Sequence, residues 1–487
     1  MPSNKLIRRA LAGAAAAALL AGCAAVGPDY ARPDAPKAQT YAMAGETAPA
    51  EIRLADAGPG PWWNALGSPA LDAVIRQALA DSPTLAEADA TLAQSRAALA
   101  QARGAALPQA DANAGVERER VNLQAFGFTG FGDVTLSNPT FSLYSVGGGV
   151  GYDLDLFGGQ RRRIEGAAAR VEAQARRADA AYLTLTANVA LQAVTIATLN
   201  AQIAETQAMI AADEDSLAMV RRAAELGGSA STDRIAAAAQ LEDDRTLLPP
   251  LKAELAAARH ALAELVGRAP ADWTPPDFAL DGFKLAGPAP VSLPSSLVRR
   301  RPDILAAEAD LHAATADIGV ATADLYPDIR LSASITQGAL KPGELFTYDA
   351  SGWDLGGGLT APLFHGGELR ARRQGAVDAA KAANARYQQT VLKAFVEVAD
   401  ALQALTADDE SLAAHDRAQA HADERVRLAK AGYGIGGVAM LDVLDAQRRA
   451  HDLRAKAVRA QGQRLADVVR LIAASGADWR TAPAAAD

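Results

Sequence analysis

One pattern is written twice along this chain. Ser82-Pro83-Thr84-Leu85 is followed by Leu107-Pro108-Gln109, and Arg301-Pro302-Asp303-Ile304 by Tyr326-Pro327-Asp328, each 25 residues from proline to proline. Leu156-Phe157-Gly158-Gly159 answers Leu363-Phe364-His365-Gly366-Gly367, and Gly228-Ser229-Ala230-Ser231-Thr232-Asp233 answers Gly437-Val438-Ala439-Met440-Leu441-Asp442. The copies are offset by about 207 to 219 residues, and both read helix, two strands, long helix, turn, helix. The first repeat is assigned to 61–267, a linker rich in proline to 268–293, the second repeat to 294–475 and a tail to 476–487.

Each element has its own period. From Thr140 to Phe157 the even positions Tyr144, Val146, Val150, Tyr152, Leu154 and Leu156 are apolar, and the odd ones are Ser, Gly or Asp from Ser145 to Asp155. Asp328–Thr336 and Gly352–Phe364 alternate in the same way, and 109–121 more weakly. Gln160 to about Leu226 and Glu368 to about Lys430 lack proline and predict helices that reach about 100 Å at ~1.5 Å per residue. Gly227-Gly228 and Gly432 to Gly437 break them, and new helices start at Thr232 and Leu441. Pro69 to about Ala106 reads as one helix ended by Pro108. Much of the 50% apolar fraction is alanine and aromatics are only 5%, a composition for long, closely packed helices.

The start of the chain reads as an export signal. Lys5, Arg8 and Arg9 precede an apolar stretch from Leu11 to Leu20, and the only cysteine, Cys23, follows directly. Leu20-Ala21-Gly22-Cys23 resembles the bacterial lipobox. That resemblance implies a signal peptide over 1–22, cleavage before Cys23 and acylation there, and Ala24 at the next position permits sorting to the outer membrane. Residues 23–60 then form an acylated, extended arm. A single cysteine leaves no disulfide framework. Without the signal the charge moves from −9 to about −12, which argues against nucleic-acid binding. No run of 18 apolar residues follows Cys23, so a spanning helix is not expected.

Four alternating strands with Asp153, Asp155, Asp328 and Arg330 on the polar face fit a transmembrane β-barrel with a watery lumen. A sheet lying on a soluble core alternates too; the exported, acylated context favours the barrel. Lipid tolerates no open sheet edge and barrels need at least eight strands, so four strands imply an oligomer.

The chain resembles the outer-membrane efflux channels, the TolC-like family, in its acylated NodT/OprM-type branch, from Cys23 to Ser475. The residues that carry this are Cys23 with Val26-Gly27-Pro28-Asp29-Tyr30, then Trp62-Trp63 with Leu71-Asp72 and Ala78-Leu79. More specific still are Leu293-Pro294-Ser295-Ser296-Leu297-Val298-Arg299-Arg300-Arg301-Pro302-Asp303-Ile304 and Leu441-Asp442-Val443-Leu444-Asp445-Ala446-Gln447-Arg448. The resemblance implies an α+β membrane protein: a homotrimer with one shared 12-stranded barrel, four strands per protomer, continued by a long periplasmic α-helical barrel. It implies a periplasmic adaptor protein, an inner-membrane pump commonly of the RND type, export of small molecules and no catalysis. The only non-protein group implied is the covalent lipid at Cys23.

The candidate gate lies at the second glycine turn. Asp442 and Asp445 stand three apart, on one helix face. A trimer would make each a ring of three acids that selects cations. Arg448 lies a turn further on and is expected to brace the ring. The resemblance implies that positions equivalent to these three line or latch the closed tip. It matches Tyr433 to a locking tyrosine, and Asp233 is the first-repeat counterpart of Asp442. Gly228 and Gly437 mark the helix-turn tips. Solvated acids in a first helical turn are the plain alternative. The chain departs from some relatives at Val438, where they carry a basic residue, so a specific salt bridge at the tip is in question.

Other signals carry less. Gly147-Gly148-Gly149-Val150-Gly151 lies in a strand pattern, whereas a phosphate loop opens a helix. Gly432 to Gly437 follows a helix and reads as a turn. Arg161-Arg162-Arg163 is either an interfacial anchor or a solvated face. None of His260, His312, His365, His415, His421 and His451 has metal-ligand spacing, and five scattered methionines give no support for soft-metal handling. A type I protein-secretion duct has the same fold, and an adjacent gene for an RND pump or an ABC exporter separates it from a drug-efflux channel. A periplasmic coiled-coil lipoprotein without a pore is the third possibility, against which the four strands speak.

Overall fold

The computed structural model describes residues 25–34, 36, 38, 40–43, 45, 53–54, 61–122, 138–225, 231–285, 290–291 and 294–476. Cys23, Gly228, the signal segment, the tail beyond Gly476 and parts of the arm and linker lie outside these. Among the described residues the chain is mostly helical, with a four-stranded sheet and a short parallel pairing of Arg53–Leu54 with Pro290–Val291, and it divides into two units.

One unit gathers the start of the chain, 93–173 and 308–386. Its centre is an antiparallel sheet of β1 (Gln109–Arg120), β2 (Thr140–Leu154), β3 (Asp328–Ala339) and β4 (Ser351–Thr360), paired in that order. Register sorts the two faces. Asp111, Gly149, Ser334 and Asp354 form one row across four strands, and Asn113, Gly147, Thr336 and Gly352 the next. Between them runs Ala112, Gly148, Ile335 and Trp353, flanked by Ala110, Val150, Ala333 and Leu355. Pleating puts these rows on alternate faces, so one face is polar or glycine and the other apolar. On the polar face Ser334 donates to Asp354 at 2.7 Å. Every residue of the edge strands β1 and β4 is exposed. The Gly147–Gly151 run lies inside β2, as its alternation required. Gly147 is tight: a Cβ there would stand 2.8 Å from Thr336 Cγ2 and 2.9 Å from the Ile335 carbonyl.

The segment before Arg32 is clamped onto this unit. The Val26 N–H donates to the Phe157 carbonyl at 2.9 Å. Arg162 donates to the Val26 carbonyl at 3.2 Å and to Asp29 at 2.6 Å, and Tyr30 stacks on His312 with ring centroids 4.3 Å apart. Gly27, at φ +92°, has no room for a side chain: a Cβ would stand 2.5 Å from Gly319 Cα. The arginine triplet splits: Arg161 and Arg163 are exposed and Arg162 is not. Arg162 is buried among carboxylates, Arg161 pairs with Asp155, and Arg163 lies 3.8 Å from Asp324.

The other unit gathers 33–92, 174–307 and 387–487. A 3-10 turn over Trp62–Leu66 leads into α1 (Pro69–Asp81), which Ser68 caps by accepting from the Leu71 N–H. Leu71, Val74, Ile75 and Ala78 at helical spacing face the core with Trp62, Trp63, Ile196, Leu262, Leu297, Ile304 and Leu471. Trp62 donates to Thr186 at 3.1 Å and Trp63 to Asp72 at 2.9 Å, so both buried indoles are satisfied. The single helix expected from Pro69 to Ala106 is two: α2 is Pro83–Ala105 and Ser82 between is extended at ψ 122°. Pro83 removes a donor and bars α geometry from the residue before it.

The long helices start where expected and run slightly differently. α3 is Gly159–Glu225. The return path is broken into α4 (Ser231–Arg245) and α5 (Leu248–Val266), because Pro249 and Pro250 cannot continue the α4 ladder. α6 (Pro294–Arg300) and α7 (Pro302–Ala323) precede β3. α8 is Glu368–Gly434, taking in Gly432, and α9 is Met440–Ala474 without interruption. Small residues allow close approach: a Cβ on Gly462 of α9 would stand 2.0 Å from Thr198 Oγ1 on α3. Gly462→Val is expected to destabilise the fold by ~2 kcal/mol, since Thr198 is β-branched and has little rotamer freedom to yield. Denaturant unfolding of the two proteins side by side checks it.

Candidate functional site

The predicted gate residues lie within the second unit, where α8 turns into α9. The turn closes with the Gly436 N–H on the Tyr433 carbonyl at 3.0 Å and the Gly437 N–H on the Gly432 carbonyl at 2.8 Å. Gly436, at φ +73°, takes the left-handed step that reverses the chain. Beneath it an apolar cluster joins Leu217 and Val220 of α3, Ala237 and Leu241 of α4, and Met440, Val443 and Leu444 of α9. Tyr433 packs half-buried against that cluster.

On α9 the buried residues Val443, Leu444, Ala446 and Gln447 leave Asp442, Asp445 and Arg448 exposed as one stripe. The carboxylate of Asp442 accepts the Ala439 N–H at 3.0 Å, closing the first helical turn. Asp445 lies 4.0 Å from Arg425 of α8. Arg448 turns away from both acids. It donates to Gln240 at 3.1 Å and to Asp243 at 3.4 Å, both on α4. Within one chain it therefore ties α4 to α9 rather than bracing Asp442 and Asp445. Asp233 sits half-buried in the first turn of α4. Gly437 is in the described turn; Gly228 is not among the described residues.

Under this stripe lies a buried polar layer that was not singled out from the sequence. Asp213 and Ser216 of α3, Asp244 of α4 and Gln447 of α9 are all 7% exposed or less. Ser216 donates to Gln447 at 3.3 Å, and Gln240 to Asp244 at 2.6 Å. Burial and the facing Asp244 carboxyl push the Asp213 carboxyl up to about 7, against the pull of Arg448. A signal existed: Met209, Asp213, Ser216, Leu217 and Val220 follow one helical stripe, so an acid and a hydroxyl occupy core positions.

Among the described residues no three His, Cys, Asp or Glu side chains converge on a metal position. The site offers charge and closure rather than a nucleophile paired with a base.

The model of the outer membrane efflux protein family matches residues 74–268 and 293–477. The probable efflux pump outer membrane protein TtgC of Pseudomonas putida is 31% identical over 96% of this chain and 95% of its own. The pyoverdine export outer membrane protein OpmQ of Pseudomonas aeruginosa is 28% identical over 92% of each chain. A solved structure of the outer-membrane channel OprN superposes with a TM-score of 0.84 at 27% identity, covering 93% of this chain and 99% of that one. The chain belongs to the outer membrane efflux protein family and is an outer-membrane channel of a tripartite efflux system, a duct without catalytic chemistry or a cofactor.

Proposed function

We propose that three copies of this chain form one passive pore for small molecules, a barrel of twelve strands continued by a barrel of helices and gated at its periplasmic tip. The observation that carries this is the two-faced sheet with both edges open. Its apolar rows run from Leu154 to Tyr144, broken once by Gln337 and Ser351 in the Val146 row. That is about 33 Å along the strand, or ~25 Å high at a barrel tilt near 40°, the height of an outer-membrane apolar band. Beyond Tyr144 the same face carries Arg118 and Arg120, opposite Ser142 and Thr140, where the band ends. Pairing β1 of one copy with β4 of the next satisfies both edges, and three copies supply more than the eight strands that closure needs.

The lipid fits the same frame. Ala25, two residues after Cys23, lies against Gly158 just past the end of β2. An acyl chain on Cys23 would therefore enter the membrane at its periplasmic surface. The helices then lead into the periplasm, where an adaptor and an inner-membrane pump, of the RND type in this branch, dock. Asp442 and Asp445 ring the tip, with Arg448, Tyr433, Asp233 and the glycine turns holding it closed.

The test is dye export. Host cells lacking this chain should retain ethidium loaded into them, and restoring the chain should restore its export. Equal retention with and without the chain would contradict small-molecule efflux and favour a protein-secretion duct.

A further inference from the structure

The buried polar layer beneath the tip contains an atom with no partner. Asp213 is 4% exposed and its Oδ2 has no hydrogen-bond donor. The side chain in contact with it is that of Asp244, 2% exposed, whose own Oδ2 accepts from Gln240. Two ionised carboxylates cannot satisfy each other, and two buried like charges repel at low dielectric. No third acid or histidine completes a metal site among the described residues. The smallest occupant that resolves both problems is a proton, because a protonated carboxyl becomes a donor to its neighbour.

We propose that Asp213 and Asp244 bind one proton between them, and that this proton holds the tip of the duct closed. The proposal rests on the α8–α9 turn and its stripe being the gate. The coupling runs through α4. Gln240, which grips Asp244, accepts from Arg448, and Asp243 accepts from the same guanidinium. Losing the shared proton leaves two charges between α3 and α4, which drives the helices apart or admits water. Moving α4 withdraws both partners of Arg448 and releases α9.

The arrangement occurs a second time. On the other hairpin Asp408 of α8 faces Asp467 of α9, and Gln463, one turn before, donates to Asp467 at 2.8 Å. Asp408 Oδ2 also lacks a donor, as Asp213 Oδ2 does. Burial and Asp467 push Asp408 up to about 6. In both hairpins an acid of the outgoing helix meets an acid of the returning helix, held by a glutamine four residues earlier.

The sign follows from the raised Asp213 value. The closed tip binds a proton that an opened, hydrated pair releases, so closure is favoured at low pH. It weakens as pH rises from the ordinary carboxylate range to about 7, where Asp213 titrates. One proton changes the ratio of closed to open by at most about tenfold per pH unit. Of the surrounding groups, Arg448 of α9 favours ionisation. Glu205 of α3, Glu254 of α5, Arg425 of α8, and His451 and Arg459 of α9 line the adjoining cavity of about 680 Å³. His451 is held below its usual range by burial and Arg454, and its charging in acid would oppose the effect.

The experiment measures open probability of the purified full-length channel in planar bilayers from about pH 5 to about pH 8.5, with infrared difference spectra of the same preparations. Wild type should open progressively toward neutrality. Its carboxylic C=O band should titrate near pH 7. Asp213→Asn, an isosteric neutral donor, should remain at the low-pH level throughout and lose the part of the band that titrates near pH 7, leaving that of Asp408, while His451→Gln should keep the opening toward neutrality. A pH response retained by Asp213→Asn, or abolished by His451→Gln, would overturn the proposal. So would the absence of the band. A titrating band in a protein that never conducts would instead overturn the gate on which the coupling rests and leave the proton site standing.

Discussion

Replacing Asp442 and Asp445 together by alanine is expected to give a larger and less cation-selective current. Both side chains are exposed on the α9 stripe, and neither helps to bury the apolar cluster beneath. In a trimer they become two rings of three carboxylates. A single carboxylate about 4 Å from a permeating cation contributes ~1 kcal/mol even at the dielectric of water. That alone accumulates cations about fivefold, so removing both rings should lower the cation-to-anion permeability ratio at least that much. The cost to the fold is small. Asp442 closes the first turn on the Ala439 N–H, an interaction of ~1 kcal/mol, and Asp445 makes only a long contact with Arg425. Reversal potentials under a salt gradient report the selectivity and unitary currents the size. Unchanged values in a folded trimer would move the gate away from this stripe.

Leu355→Arg is expected to abolish assembly in the outer membrane. Leu355 is 74% exposed in the single chain and shares its row with Val150, midway along the apolar rows. An arginine at the bilayer midplane costs ~2–4 kcal/mol on the lipid face of a barrel, and each trimer would carry three. Ser334→Arg, on the opposite face beside Asp354, should assemble normally, because in the proposed barrel that face meets water and carries a carboxylate. Heat-modifiable trimer bands from the membrane fraction read both. Assembly of Leu355→Arg together with failure of Ser334→Arg would reverse the assignment of the faces.

The elements were legible because their periods are strong and their punctuation is proline and glycine. Alternation from Thr140 and from Asp328 located β2 and β3, and the proline-free stretches located α3 and α8. The misjudged breaks have local causes. Pro83 forces Ser82 before it to extend and so divides the stretch from Pro69 to Ala106, and Pro249 and Pro250 divide the return path. The acids exposed on α9 could be placed from spacing alone. The hydrogen bonds of Arg448 to Gln240 and Asp243 could not, because those partners lie 208 and 205 residues away and the contact depends on how α4 packs on α9. The facing of Asp213 and Asp244 was hidden for the same reason, although an acid inside an apolar stripe marked each position. The Val26–Tyr30 segment was visible as a motif, and its physics appeared only with the structure, in the contact of Gly27 with Gly319 and the stacking of Tyr30 on His312.

The central claim, a trimeric pore through the outer membrane, is tested most directly by planar-bilayer conductance of the purified, acylated wild-type protein, with its trimeric state verified on the same sample. The expected result is discrete, small, cation-selective unitary currents. A folded trimer that passes no current under any applied voltage, and none after Asp442→Ala/Asp445→Ala replacement, would contradict it.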